Sequence, residues 1–85
     1  MEAIIIVEFG SDGTYDVHTD ASQNYPIGLL GQGNSIEDAL DDFYRCEAEM
    51  KEYMNSIGKE FPFTSYKIVY DIPSSVGQNP IKSCR

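Results

Sequence analysis

The sequence predicts an α+β domain of order β-β-β-α-β, a small antiparallel-rich sheet with one long helix on one face. Three features predict it: alternation of apolar and polar residues over 2–9, an Asp-Gly turn leading into a second alternating run, and a helical apolar stripe from Ile36 to Ile57.

The first strand, EAIIIVEF, puts Ala3, Ile5, Val7 and Phe9 on one face and Glu2, Ile4, Ile6 and Glu8 on the other. Ser11-Asp12-Gly13-Thr14 supplies the hairpin turn. The returning strand, TYDVHTD, sets Tyr15, Val17 and Thr19 against Asp16, His18 and Asp20. After the polar loop ASQNYP comes a short third strand, IGLLGQ, whose glycines suggest an edge or a close backbone approach. Ser35 is a good N-cap, with Asp38 where a reciprocal capping acid belongs. The helical stripe then runs Ile36, Ala39, Leu40, Phe43, Cys46, Met50, Tyr53, Met54 and Ile57, and Gly58 stops it. A fourth strand, SYKIVYD, carries Tyr66, Ile68 and Tyr70 on one face.

These faces predict one core containing Ile5, Val7, Tyr15, Val17, Phe43, Met50, Ile68 and Tyr70. One helix covers one sheet face, so Ile4, Ile6 and Val69, with Leu30, remain for a partner or a second copy to cover. A homodimer or higher oligomer is expected through them. The domain spans residues 1–71; residues 72–85, with two prolines and little periodicity, read as a tail without a fold of its own.

Composition narrows function. Fourteen acidic against six basic residues give a net charge of −8, which opposes direct binding to nucleic acid and suits a basic partner. The N-terminal run lacks a basic region and a cleavage site, so no signal peptide or membrane span is expected, and a cytoplasmic location follows. Cys46 reads as a helix packing residue and Cys84 as a tail thiol, with no disulfide.

Catalytic and cofactor chemistry finds little support. Gly31-Gln32-Gly33 before a helix invites a phosphate-binding reading, but the third glycine position of a dinucleotide fingerprint is Ile36, and the glycines are read instead as ending a strand and freeing the backbone to turn into a helix. No lysine precedes Lys51, which excludes a P-loop there, and Glu37, Asp38, Asp41 and Asp42 would repel phosphate. Asp16, His18 and Asp20 resemble a metal strip, yet alternate strand residues stand about 6.7 Å apart, too far for all three to meet one ion. Most of the helix acids Glu37, Asp38, Asp41, Asp42, Glu47, Glu49 and Glu52 fall off the apolar stripe and would face water rather than a cleft. The chain is read as a non-enzyme without a cofactor or metal.

The order of elements, with PIGLLGQGNSIEDALDDF as the most characteristic stretch, resembles the HicB antitoxin family over residues 3–71. The segment is similar to that family's proline, glycine, short strand, then Gly-x-[Ser/Thr]-x-Glu-[Glu/Asp]-Ala pattern. The resemblance implies a partly RNase H-like fold without nuclease activity, in a type II toxin–antitoxin system. It implies a HicA-like partner, a basic toxin that cleaves messenger RNA, and assembly into dimers or larger oligomers. The family's frequent C-terminal DNA-binding segment has no counterpart in the fourteen residues after Asp71, so operator binding by this chain is not expected. Toxin binding is expected through Glu37, Asp41, Glu49 and Glu52, which lie largely outside the stripe. The alternative is an orphan domain of the same kind, serving oligomerisation or regulation without a toxin.

Overall fold

The computed structural model describes residues 1–72. β1 (Glu2–Phe9), β2 (Tyr15–Thr19), β3 (Leu30–Gly33), α1 (Ile36–Ser56) and β4 (Ser65–Asp71) form a four-stranded mixed sheet of order β3-β2-β1-β4 with one long helix on one face. β1 and β2 pair antiparallel, as do β2 and β3, and β4 lies parallel to β1.

Local chemistry explains the joints. In the hairpin, Asp12 Oδ1 accepts from the Thr14 N–H at 3.1 Å and from its hydroxyl at 2.7 Å, while Gly13 takes φ +87°, open to glycine at no steric cost. Ser35 caps α1, its Oγ accepting from the Asp38 N–H at 3.0 Å. The helix closes in a Schellman turn around Gly58 at φ +75°. There the Lys59 N–H donates to the Met54 carbonyl at 2.8 Å and the Gly58 N–H to that of Asn55 at 3.2 Å. Between β2 and β3 lies a single 3-10 turn (Ala21–Gln23), capped by Asp20 and left by Asn24 in the left-handed region.

Gly31 and Gly33 serve packing. A Cβ on Gly31 would stand 2.3 Å from the Phe43 nitrogen and 2.6 Å from the Ala39 carbonyl oxygen, and one on Gly33 would stand 2.6 Å from the Ala39 nitrogen. Neither has a positive φ, so close approach of α1 to β3, rather than a turn, is what demands glycine here.

Ala3, Ile5, Val7, Val17, Leu29, Ala39, Phe43 and Phe63 form the buried core, with Tyr15, Met50 and Ile68 half-buried against it. Tyr70, expected in that core, is instead 57% exposed. α1 crosses from β3, where it touches the two glycines, to the start of β4, where Phe43 and Tyr44 meet Tyr66. That diagonal leaves the corner at the end of β4 uncovered. Tyr53 and Ile57 are likewise exposed, so the helical stripe is buried over less of its length than its periodicity suggests. The third strand starts at Leu30 rather than Ile27, and the preceding Leu29 turns into the core, its N–H donating to the Thr19 hydroxyl.

The segment after α1 closes the far end of the core. Phe63 is 4% exposed and stacks edge-on with Tyr25, Phe61 and Tyr66. Ile72, the first residue assigned to the tail, packs half-buried on the core, and the rest of that tail, with Cys84, lies outside the described residues.

Candidate functional site

Apart from Asp38, in the capped first turn, the helix acids divide into two groups. Glu37, Asp41, Glu49 and Glu52 are all exposed and turned away from the sheet. At 1.5 Å per residue they extend over roughly 22 Å of α1. Arg45 stands among them and pairs with Asp42, with Glu49 adding to the field it feels. The arrangement is an open acidic face broken by Arg45 and flanked by Lys51, which reaches Glu47 at 3.7 Å, and among the described residues no cleft desolvates these carboxylates.

Asp42 and Glu47 hold structure together instead. Asp42 Oδ2 accepts from the Gln32 N–H at 3.0 Å, which ties the outer edge of β3 to α1. The Arg45 guanidinium and then that N–H hold the Asp42 carboxyl below the usual range. Glu47 Oε2 accepts from the Tyr66 hydroxyl at 2.6 Å. Burial and then the Glu47 carboxylate push the Tyr66 phenol well above its ordinary value.

The opposite surface is the open face of the sheet. Strand register places Leu30, His18, Ile6 and Val69 in one row across all four strands, and Gln32, Asp16, Glu8 and Asp71 in the next. Ile4 lies beside Lys67 in a third row. Ile4 and Ile6 are half-buried among these neighbours, whereas Val69 is 39% and Leu30 66% exposed. The sequence-predicted residues Ile4, Ile6 and Val69 are thus brought together on one face.

His18 sits at the centre of that face and is tied to β1. Its Nε2 lies 2.7 Å from Glu8 Oε1 and its Nδ1 3.1 Å from the Thr19 carbonyl oxygen. Both partners only accept, so the doubly protonated ring satisfies both. Partial burial works against that charge, but the bond to Glu8, the Thr19 carbonyl and the Glu8 and Asp16 charges outweigh it, and the pKa of His18 is raised. Reading along β2 alone paired His18 with Asp16 and Asp20. The cross-strand partner Glu8 is accessible only through hairpin register, since a turn pairing Phe9 with Tyr15 sets Glu8 beside Asp16 and diagonal to His18.

Among the described residues no group of three or more His, Cys, Asp or Glu side chains is placed to hold a metal ion, and no helix is long and apolar enough to cross a membrane. Comparison with protein families, characterised proteins and solved structures finds no match for this chain.

Proposed function

We propose that this chain is an antitoxin-like binding protein that captures a basic protein partner, of the kind a HicA-type messenger-RNA-cleaving toxin would be. The observation that carries the reading is charge: a net −8, with Glu37, Asp41, Glu49 and Glu52 all displayed on the outward face of one helix. Such a surface repels nucleic acid and draws a positively charged protein, raising the rate of encounter more than the strength of the final complex. The resemblance of residues 26–43 to the HicB pattern supports the toxin class, and α1 displays the charge along the side of the domain away from the sheet.

On this reading the chain neutralises by occlusion, covering the cationic surface with which a toxin would grip RNA, and performs no chemistry itself. The test is co-expression with a candidate basic toxin taken from the chain's own locus. Relief of growth arrest and a complex that copurifies at low salt are expected. Persistent arrest without a complex would leave the orphan-domain alternative standing.

A further inference from the structure

We propose that the open face of the sheet is a docking surface for an amphipathic basic segment of a partner protein, with aliphatic side chains on Leu30, Ile6 and Val69 and lysine or arginine side chains over Asp16, Glu8 and Asp71. The inference rests on the reading that the partner is a basic protein, and adds where the partner seats.

Two observations combine. The first is the row Leu30–His18–Ile6–Val69, which presents apolar surface on β3, β1 and β4 with Leu30 66% exposed. The second is the parallel row of Asp16, Glu8 and Asp71, which holds three carboxylates on adjacent strands. Neighbouring strands stand about 4.8 Å apart and the two rows roughly 6.7 Å. Like charges at directly opposed positions destabilise a sheet, and here they persist. A rank of cations beside an aliphatic stripe would relieve that repulsion while drying the apolar row. A second copy fits less well, because each copy adds the same acids to a contact already burdened by −8 on both sides.

His18 grades the affinity. The charged groups around it are Glu8 on β1 and Asp16 and Asp20 on β2, while its β3 neighbour, Leu30, is uncharged. Protonated, it offsets part of the acidic row; neutral, it leaves the Glu8 charge unopposed for the partner's cation.

The test is heteronuclear NMR on the 15N-labelled full chain, titrated with a synthetic helical peptide bearing a leucine stripe flanked by lysines. Shifts are expected at Ile6, His18, Leu30 and Val69, with binding tighter near about pH 8.5 than near about pH 6. Ile6→Gln, and separately Glu8→Gln with Asp71→Asn, should each weaken binding about tenfold, close to 1.4 kcal/mol, with the spectrum reporting an intact fold. Equal binding of a peptide with glutamates for lysines, shifts confined to α1, or no binding at millimolar peptide would overturn the proposal. Open-face shifts that follow protein concentration without peptide would assign the face to a second copy and overturn it too. A partner complex that forms on co-expression but ignores the open-face variants sinks this inference alone; no complex with the intact chain sinks the antitoxin reading.

Discussion

Glu8 reaches diagonally across the β1–β2 pair to place Oε1 2.7 Å from Nε2 of His18. The raised pKa of His18 fixes the sign of its contribution to stability. A group whose folded pKa lies above its unfolded value stabilises fully below the unfolded value, near 6.5, and loses that contribution as pH rises through the folded pKa. With side chains 35% and 45% exposed, solvent screening holds the effect to about 0.5 kcal/mol or less. Urea unfolding should show a small decline in stability as pH rises above neutrality, absent in His18→Gln. An imidazole titration midpoint below 6.5 would contradict the geometry.

The glycine contacts give a sharper prediction. Gly31→Ala forces a methyl into the Phe43 and Ala39 backbone, which cannot rotate away as a side chain would. A loss of about 3 kcal/mol or more in urea unfolding is expected, with Gly33→Ala similar. Gly28→Ala is the control, because its nearest neighbour, the Thr19 hydroxyl, stands 3.6 Å from the added Cβ. It should change stability by under about 0.5 kcal/mol.

The strands and helix were legible because their signals are local. Alternation in β1, the Asp12-Gly13 turn and the Ser35 cap each act within a few residues, and the fully buried Ile5, Val7, Val17 and Phe43 follow from them. The helix's diagonal path was not legible, since it depends on Gly31 and Gly33 admitting α1 at one corner of the sheet, and Tyr70 is exposed as a result. Phe63 and Tyr25 were hidden in segments without periodicity, where an aromatic residue between turn formers was the sole hint. The outward position of Glu37, Asp41, Glu49 and Glu52 was readable from helical spacing. The structural duties of Asp42 and Glu47 were not, because their partners Gln32 and Tyr66 come from other elements.

Phe63→Ala should cost about 3–5 kcal/mol, although it lies outside every strand and helix, because it removes the ring that joins Tyr25, Phe61 and Tyr66. Tyr70→Ala should cost far less, at about 1 kcal/mol or under, since its ring is mostly in water. Comparable losses for the two would mean that the core lies elsewhere.

Tyr66→Phe deprives the Glu47 carboxylate, whose side chain is 17% exposed, of its 2.6 Å donor. A cost of about 1–2 kcal/mol is expected. Ultraviolet titration of the folded chain should show one tyrosine ionising well above the others, absent from the variant.

The two acidic surfaces should separate in kinetics. Replacing Glu37, Glu49 and Glu52 by Gln and Asp41 by Asn removes four exposed charges from α1, and the described structure gives none of the four a hydrogen bond. Folding should be nearly unaffected, with a change of under about 0.5 kcal/mol. Association with a basic partner should slow by about tenfold at low ionic strength and become less sensitive to salt, while dissociation changes little. The apolar open-face variant, Ile6→Gln, should do the reverse, because contacts dried on binding govern the lifetime of a complex and distant charges govern its formation. Stopped-flow measurements at several salt concentrations distinguish these outcomes. A quadruple variant that speeds dissociation while leaving association unchanged would make the helix face the contact surface, and the charge-steering account of α1 would be wrong.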